Sequence, residues 1–332
     1  MIDTRRRICL NGNLVGVFGS NAASKASFLS SIGKKSETEG IIVYQRNEAG
    51  KKFSLLDDSV YPEKIQGYAR IASISDHAYY IFPTDAKLSP SDGELAILLD
   101  SFGLKGEIVV VDGSKTAVSD IVRSSFKGLS LSSYEIEERS SKSSMINLSR
   151  IGSKSDYPKD QTLVYIDRAF SVKGVGVVVL GFVLCGKVSV HDKLRILPSE
   201  SNKLAEIKGI QISDEDHDST ESGIRVGLSL KGIELKDLSK MSWMDDGSFK
   251  LSSSLEFSFK QCPYYKQPTV DRDLHLEASG EMLVTKIVQG KTPDSRIAKL
   301  QDAIPCWEGM NVCIIDLNSK ALRVAGGGHV RL

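Results

Sequence analysis

Residues Ile166–Gly181 read IDRAFSVKGVGVVVLG, and everything around them is best read outward from this stretch. Phe170 is followed by Gly174-x-Gly176, then by a Val- and Leu-rich run that stops at Gly181. Gly174 and Gly176 permit the positive φ of a tight turn. The Val run has the composition of a strand buried on both faces. From Gln161 to Asp246 no helical period is present. Short β-rich runs recur instead, separated by glycines or charged turns: Leu163–Ile166, Gly176–Leu184, Leu194–Ile196, Leu204–Ile212 and Arg225–Leu230. This predicts a small all-β barrel over residues 156–246. Residues 247–332 repeat the style in Leu255–Phe259, Leu274–Leu276, Met282–Val288, Asn311–Ile315 and Leu322–Val324, which predicts a second barrel.

Residues 1–155 are patterned differently. Leu14–Phe18, Ile41–Tyr44, Phe53–Leu56, Ala78–Phe82 and Ile108–Val111 read as strands. Ala22–Ile32, Glu63–Ile74, Ser91–Phe102 and Ala117–Ser124 read as helices, the third with Leu95, Leu98, Leu99 and Phe102 on one face. Strand–helix alternation predicts a parallel α/β sheet. The serine- and charge-rich stretch Ser140–Asp160 reads as a linker to the barrels.

The 332 residues suit two or three domains. Balanced charge and ordinary apolar content exclude disorder as the main state. The net charge of +1 divides as +2, −3 and +2 over the three zones, so no zone has a strong field of its own. An indiscriminate electrostatic grip on nucleic acid is thereby excluded, whereas a partner chosen by shape and a few placed cations is not. Only Ile8, Cys9 and Leu10 follow Arg5-Arg6-Arg7, too short for a signal peptide. Gly174–Gly186 is broken by glycines and falls short of the ~18–20 residues of a membrane helix. Five scattered cysteines without a CxxC suit a reducing cytosol. A cytoplasmic chain with no membrane partner is expected.

The hairpin stretch resembles the signature of the second domain of translational GTPases of the elongation factor Tu type. Gly186-Lys-Val-Ser-Val-His-Asp192 and Gly223-Ile-Arg-Val-Gly-Leu-Ser-Leu-Lys-Gly232 resemble two later segments of that domain, in the family's order and spacing. The closing Leu322-Arg-Val-Ala-Gly-Gly-Gly328 resembles the family's final Gly-rich strand. The resemblance implies a P-loop-GTPase-like α/β domain (1–155) followed by two all-β barrels (156–246 and 247–332). It also implies GTP and Mg²⁺ as cofactors, and aminoacyl-tRNA and the ribosome as partners of a monomeric factor.

At the nucleotide site the chain departs from the family. A P-loop needs GxxxxGK[ST]: glycines let backbone amides approach phosphates, Lys reaches the β/γ-phosphates, and the hydroxyl holds Mg²⁺. Here the stretch is Gly19-Ser-Asn-Ala-Ala-Ser24-Lys25-Ala26, with Ser27 directly after. Gly19 and Lys25 stand, while the second glycine is Ser24 and the metal hydroxyl is Ala26. The switch threonine falls near Ile42, after a short switch segment, Gly33–Gly40. The DxxG motif falls on Asp57-Asp-Ser-Val60, keeping its aspartate and losing its glycine, and the catalytic histidine falls on Tyr61. The guanine-reading NKxD falls on Asp112-Gly-Ser-Lys115, and a lysine has no acceptor for guanine N1–H and N2–H₂. Together these losses read as a degenerate site built on Gly19, Lys25, Ser27 and Asp57, with GTP and Mg²⁺ held weakly or not at all. No catalytic residue and no metal ligand is assigned.

The resemblance also implies an aminoacyl pocket on the first barrel, at Asp167, Arg168, Phe170, Leu180, Asp214 and Arg225. Arginines at the places of Arg168 and Arg225 resemble the archaeal selenocysteine-specific (SelB-like) branch. Two guanidiniums bring a fixed-charge, multi-donor wall that favours an anionic or multi-acceptor side chain. An ordinary ion pair of Arg168 with Asp167 or Asp214, or of Arg225 with Asp214, is the competing reading. The run Asp214-Glu-Asp-His-Asp218 reads as a solvated loop, and the five histidines are scattered. Tyr264-Tyr265 between Lys260 and Lys266 reads equally as a stem contact or as core. The leading expectation is a factor that binds an aminoacyl-tRNA, non-canonical ones included, without cycling GTP. An active but divergent GTPase, and a regulator that binds protein partners without tRNA, are the alternatives.

Overall fold

The computed structural model describes residues 12–36, 40–48, 50–82, 87–140, 143, 148, 151–152, 157–198, 203–238 and 243–332. Arg5–Arg7, Cys9, residues 37–39 of the short switch segment and parts of the Ser140–Asp160 linker lie outside the described residues. Among the described residues no helix is long and apolar enough to cross a membrane.

The N-terminal zone builds one sheet from β1 (Gly12–Phe18), β2 (Lys34–Lys35), β3 (Ile42–Glu48), β4 (Lys51–Asp57), β5 (His77–Phe82), β6 (Gly106–Val111) and β7 (Glu135–Arg139). Their order is β2-β3-β4-β1-β5-β6-β7. β1, β5, β6 and β7 run parallel, as the alternation of strands and helices predicts. β2 is antiparallel to β3, so the sheet is mixed rather than parallel throughout. The connecting helices are α1 (Ala22–Ile32), α2 (Gln66–Ile74), α3 (Pro90–Ser101) and α4 (Lys115–Ser125). Leu95, Leu98, Leu99 and Phe102 are all buried, which is the apolar face read from the sequence.

The first barrel uses β8 (Leu163–Val172), β9 (Gly176–Cys185), β10 (Lys187–Ser189), β11 (Lys193–Leu197), β12 (Leu204–Ile212), β13 (Glu215–His217), β14 (Ser219–Glu221), β15 (Ile224–Lys231) and β16 (Trp243–Asp245). The order β11-β16-β8-β9-β15-β12 is closed by a β11–β12 pairing. Closure removes the open edges that a flat sheet would leave. Gly174 and Gly176 hold φ of 83° and 107° at the β8–β9 turn. The Val run is not buried on both faces along its whole length. Val177 and Val179 face the core and Val178 is half-buried, and only Gly181–Cys185 is buried residue after residue. The second barrel uses β17 (Lys250–Ser258), β18 (Lys260–Gln261), β19 (Arg272–Ala278), β20 (Glu281–Gln289), β21 (Ser295–Cys306), β22 (Asn311–Ile315) and β23 (Val324–Arg331). It closes in the same way through β17–β23.

By contacts the chain forms two compact units. One joins Leu14–Arg46 and Leu55–Asp156 to the second barrel, Leu251–Leu332. The other gathers the first barrel, Tyr157–Lys250, with Asn47–Ser54 and the start of β1. In that unit Gly12 and Gly223 meet backbone to backbone. A Cβ on Gly223 would lie 2.0 Å from the Gly12 carbonyl oxygen. Lys52, buried, donates to the Ser213 hydroxyl at 2.8 Å.

In the larger unit, α2 and α3 are bonded to the second barrel. Glu94 on α3 takes a fork of bonds from Arg323, with Nη2–Oε2 at 2.5 Å, Nε–Oε1 at 3.1 Å and the Arg323 amide at 2.9 Å. Arg70 on α2 lies 3.9 Å from Glu281. Ser73 Oγ lies 2.8 Å from Glu277 Oε1, 2.8 Å from the Arg70 carbonyl, and accepts from the Gly280 amide at 2.8 Å. A hydroxyl donates once and accepts twice. The single Ser73 proton is therefore shared between the Glu277 carboxylate and the Arg70 carbonyl, while the Gly280 amide fills an acceptor site of the hydroxyl.

Burial pushes the Glu277 carboxyl up to about 8, with Glu281 adding to it and Arg70, Ser73 and the Gly280 amide opposing. The folded value lies above the unfolded one of about 4.3. The contribution to stability is therefore full below the unfolded value and is lost as pH rises toward about 8. Glu277→Gln should flatten this decline and raise Tm at the alkaline end. A wild-type Tm that is level across the window would contradict the assignment. Gly181 supplies a second check, because a Cβ there would lie 2.2 Å from the Tyr165 carbonyl oxygen. Gly181→Ala should destabilise the chain by about 2 kcal/mol in denaturant melts, and an unchanged midpoint would show that the β8–β9 hairpin can relax.

Candidate functional site

Two sites expected from the sequence can be built from their residues. The first lies where β1 turns into α1. Gly19 has φ of 140°, and a Cβ on it would lie 2.6 Å from the Ile81 carbonyl oxygen, so the turn requires glycine. Asn21 caps α1, its Oδ1 accepting from the Ser24 amide at 2.9 Å. The Lys25 amide donates to the Asn21 carbonyl at 3.1 Å. A phosphate cradle needs the amides before the lysine free and pointing inward. Here α1 is already helical from Ala22, and those two amides have partners within the chain.

Lys25 is buried, with its side chain 5% exposed. Its ammonium donates to Asp57 Oδ1 at 2.7 Å and to the Asp58 carbonyl at 3.4 Å, and it bonds the Tyr68 hydroxyl. The Tyr68 hydroxyl in turn donates to Asp57 Oδ1 at 2.9 Å, and its ring lies 4.8 Å from the ammonium. Burial first, and then Asp57, raise the Tyr68 hydroxyl well above its ordinary value, which keeps it a donor. The lysine of the P-loop position and the aspartate of the DxxG position are thus brought into one closed cluster with a tyrosine from α2. Asp58 is buried beside them; burial raises its carboxyl, and Oδ1 accepts from the Val60 amide at 3.0 Å.

The neighbouring positions are also engaged. Ser20 donates to Asp92 Oδ2 at 2.9 Å, and Asp92, fully buried, also takes the Tyr80 hydroxyl at 2.5 Å and the Ser89 amide and hydroxyl at 2.8 and 2.7 Å. Tyr61, at the place of the family histidine, donates to the Ser91 carbonyl at 2.7 Å and lies 3.3 Å from Glu94. Burial raises its hydroxyl too, ahead of Glu94. Ile42 is buried in β3. Ser27 is exposed. It sits two positions past Lys25, about 200° around the helix, so the turn that buries Lys25 faces Ser27 outward. At the guanine corner Asp112 has φ of 52° and the Lys115 amide, opening α4, donates to the Glu138 carboxylate. Arg139 covers the Phe28 ring at 5.2 Å and donates to the Ser143 carbonyl at 2.7 Å.

Sequence reasoning missed Tyr68, Asp92, Glu138 and Arg139. Ser89-Pro-Ser-Asp92 carries a readable capping signal. The other three sit in ordinary helix or strand contexts that no spacing rule marks.

The second site lies on the first barrel. β8 and β9 pair Ile166 with Gly181 and then Arg168 with Leu180, so Asp167 is an extra residue in a bulge. A bulge re-aims the side chains beside it. Asp167 Oδ2 accepts from Arg225 Nη1 at 3.0 Å and lies 3.8 Å from Arg168 Nε. The Asp167 side chain is 3% exposed, that of Arg225 7% and that of Arg168 30%. Arg225 lies over the Phe182 ring at 4.7 Å, and Phe182 stacks on Tyr165. The structure therefore brings Asp167, Arg168 and Arg225 together. Leu180 is half-buried, opposite Arg168 in register. Asp214 lies in an exposed turn with φ of 64°, and Phe170 is 38% exposed. A hollow of about 490 Å³ is lined by Asp167, Arg168 and Lys236 with Ile166, Ala169, Leu235 and Leu238.

Comparison with known proteins bears on the fold. Residues 176–240 match the model of elongation factor Tu domain 2. An uncharacterized protein of Methanocaldococcus jannaschii is 28% identical over 97% of this chain and 100% of its own length. The selenocysteine-specific elongation factor of the same organism is 30% identical over 50% of this chain, a match that spans 40% of that protein. Among solved structures, translation elongation factor SelB from Methanococcus maripaludis, in complex with the GTP analogue GppNHp, has a TM-score of 0.77 at 19% identity, covering 98% of this chain and 80% of that one. A bacterial selenocysteine-specific elongation factor has a TM-score of 0.80 at 15% identity, covering 97% and 58%. The α/β sheet followed by two closed barrels is the fold of those structures. Residues 176–240 thus match elongation factor Tu domain 2, and the chain as a whole shares the fold of the SelB structures.

Proposed function

We propose that this chain is a SelB-like factor that binds an aminoacyl-tRNA, non-canonical ones included, with GTP binding and hydrolysis weakened or lost. The observation that carries the second half is the Lys25–Asp57 pair. A phosphate-binding lysine must present its charge to phosphate, and this one is buried against a carboxylate at 2.7 Å. Taking Lys25 out of that pair would leave Asp57 and the Tyr68 hydroxyl without their cation, a cost of several kcal/mol for buried groups. The other residues fit GTP and Mg²⁺ no better. Ala26 offers no hydroxyl, Ser27 faces solvent, Asn21 holds the Ser24 amide, and Tyr61 is bonded away from any position beside Asp57. No step of phosphoryl transfer is therefore derived for this chain.

The tRNA half rests on the first barrel. Arg168, partly exposed, brings a cation to the hollow beside Lys236, while Arg225 is held on Phe182 and Asp167. With Asp167 between them the three groups carry a net single positive charge. This favours a ligand with an anionic or multi-acceptor end over a cationic one. A monomer working in the cytoplasm, with the ribosome as a further partner, belongs to the same proposal.

Calorimetric titration with GTP and Mg²⁺ should give no saturable heat in the micromolar range; sub-micromolar affinity with turnover would overturn the nucleotide reading. Filter binding should separate charged from uncharged tRNA, and Arg168→Ala should weaken the charged complex about tenfold, the loss of one charge-assisted bond. Equal binding of both tRNA forms, with Arg168→Ala and Arg225→Ala leaving affinity unchanged, would remove the pocket from the account.

A further inference from the structure

The cluster at Lys25 does not end at the nucleotide corner. Tyr68 belongs to α2, and its ring lies 5.1 Å from that of Tyr61 and 5.1 Å from that of Phe18 on β1. Tyr61 lies 3.3 Å from Glu94, and the Arg323 guanidinium lies 5.8 Å over the Tyr61 ring while gripping Glu94 in a fork. One turn further along α2, Ser73 bonds Glu277 and the Gly280 amide, and Arg70 faces Glu281. Side chains thus run from Lys25 through Tyr68, Tyr61 and Glu94 to the approach to β23, and the backbone of α2 carries the same cluster to the β19–β20 turn.

We propose that the Lys25–Asp57–Tyr68 cluster is a built-in substitute for a nucleotide: it fixes α2, and α2 with α3 fixes the second barrel, so that this unit keeps one arrangement without a nucleotide cycle. The proposal rests on the reading that the site has lost GTP, but it adds a mechanical consequence that can fail separately.

The physical basis is that each end of the path is buried and bonded within the chain, through Asp57 Oδ1 at one end and Glu277 Oε1 at the other. Tyr68 is fully buried, as is Glu277, and Arg323 and Glu94 are largely so. A helix held at one end by a buried ammonium–carboxylate–hydroxyl cluster has little freedom to rotate. Rotation would strip Asp57 of one donor at one end and Glu277 of its hydroxyl partner at the other. Removing one member of such a set leaves the rest unpaired, which is where the energy of buried networks resides. Two elements that share α2 should therefore loosen together.

Two backbone amides report on the path directly. The Gly280 amide donates to the Ser73 hydroxyl, and the Arg323 amide donates to the Glu94 carboxylate, so each amide of the second barrel depends on a side chain of the α/β sheet's helices. Amide hydrogen exchange of the full chain should show both protected, with no change on adding a non-hydrolysable GTP analogue and Mg²⁺. Tyr68→Phe, which keeps the ring and removes only the hydroxyl, should speed exchange at Gly280 and Arg323 about tenfold while the β8–β9 hairpin of the other unit stays protected. Lys25→Met should do the same or more, and Tyr68→Phe decides the matter if Lys25→Met does not fold. Unchanged exchange at both amides in Tyr68→Phe would overturn the coupling, as would a wild-type change on adding the GTP analogue. If calorimetry detects nucleotide while both amides keep their protection in its presence, the loss of GTP binding fails and the fixed arrangement stands.

Discussion

An ammonium group that is taken out of water requires a compensating charge close by. In this chain that requirement is met by Asp57, 2.7 Å from Lys25, with the lysine side chain 5% and the aspartate side chain 12% exposed. The pair could not be left half-made: a lone buried lysine or a lone buried carboxylate would cost several kcal/mol. Tyr68 completes it by accepting from the lysine and donating to the aspartate. Lys25 and Asp57 are thus turned toward one another.

From that constraint the rest of the larger unit follows. Tyr68 can serve the cluster only if α2 is rotated as observed, and that rotation presents Arg70 and Ser73 to the β19–β20 turn. Asp92, bonded to Ser20 and Tyr80, sets the start of α3, and α3 carries Glu94 to Arg323. The first barrel is organised on a different principle. Its closed sheet and its β8 bulge place one carboxylate, Asp167, between two guanidiniums, and only one of these is appreciably exposed. The order among these charged groups is therefore local to the barrel and owes little to the near-neutral field of the whole.

The architecture was readable where local chemistry is loud. The Gly174/Gly176 turn with its Val run, and the helix faces such as that of Leu95, Leu98 and Leu99, show in the residues alone. β21 was not readable. Ser295–Cys306 sets Arg296, Lys299, Gln301 and Asp302 among its apolar residues and carries Pro305, so no strand-like run stands out. β7 and β16 were missed for related reasons, the first being acidic and the second only three residues long. Lys25 and Asp57 were found by motif position, and so were Asp167, Arg168 and Arg225. Their partners were not. A spacing rule says which residue type stands where; it does not say that Lys25 will close on an aspartate 32 positions away or on a tyrosine in the next helix. The bulge that turns Asp167 toward Arg225 is likewise a property of strand register, which the hairpin sequence leaves open.

The central claim is that Lys25 is committed to Asp57 and Tyr68 rather than held in reserve for phosphate. A crystal structure grown with a millimolar non-hydrolysable GTP analogue and Mg²⁺ tests it most directly. The account predicts the Lys25 ammonium within hydrogen-bond distance of Asp57 and Tyr68, with no ordered nucleotide beside it. An ammonium drawn onto a bound β-phosphate, with α1 unwound before Lys25, would contradict it.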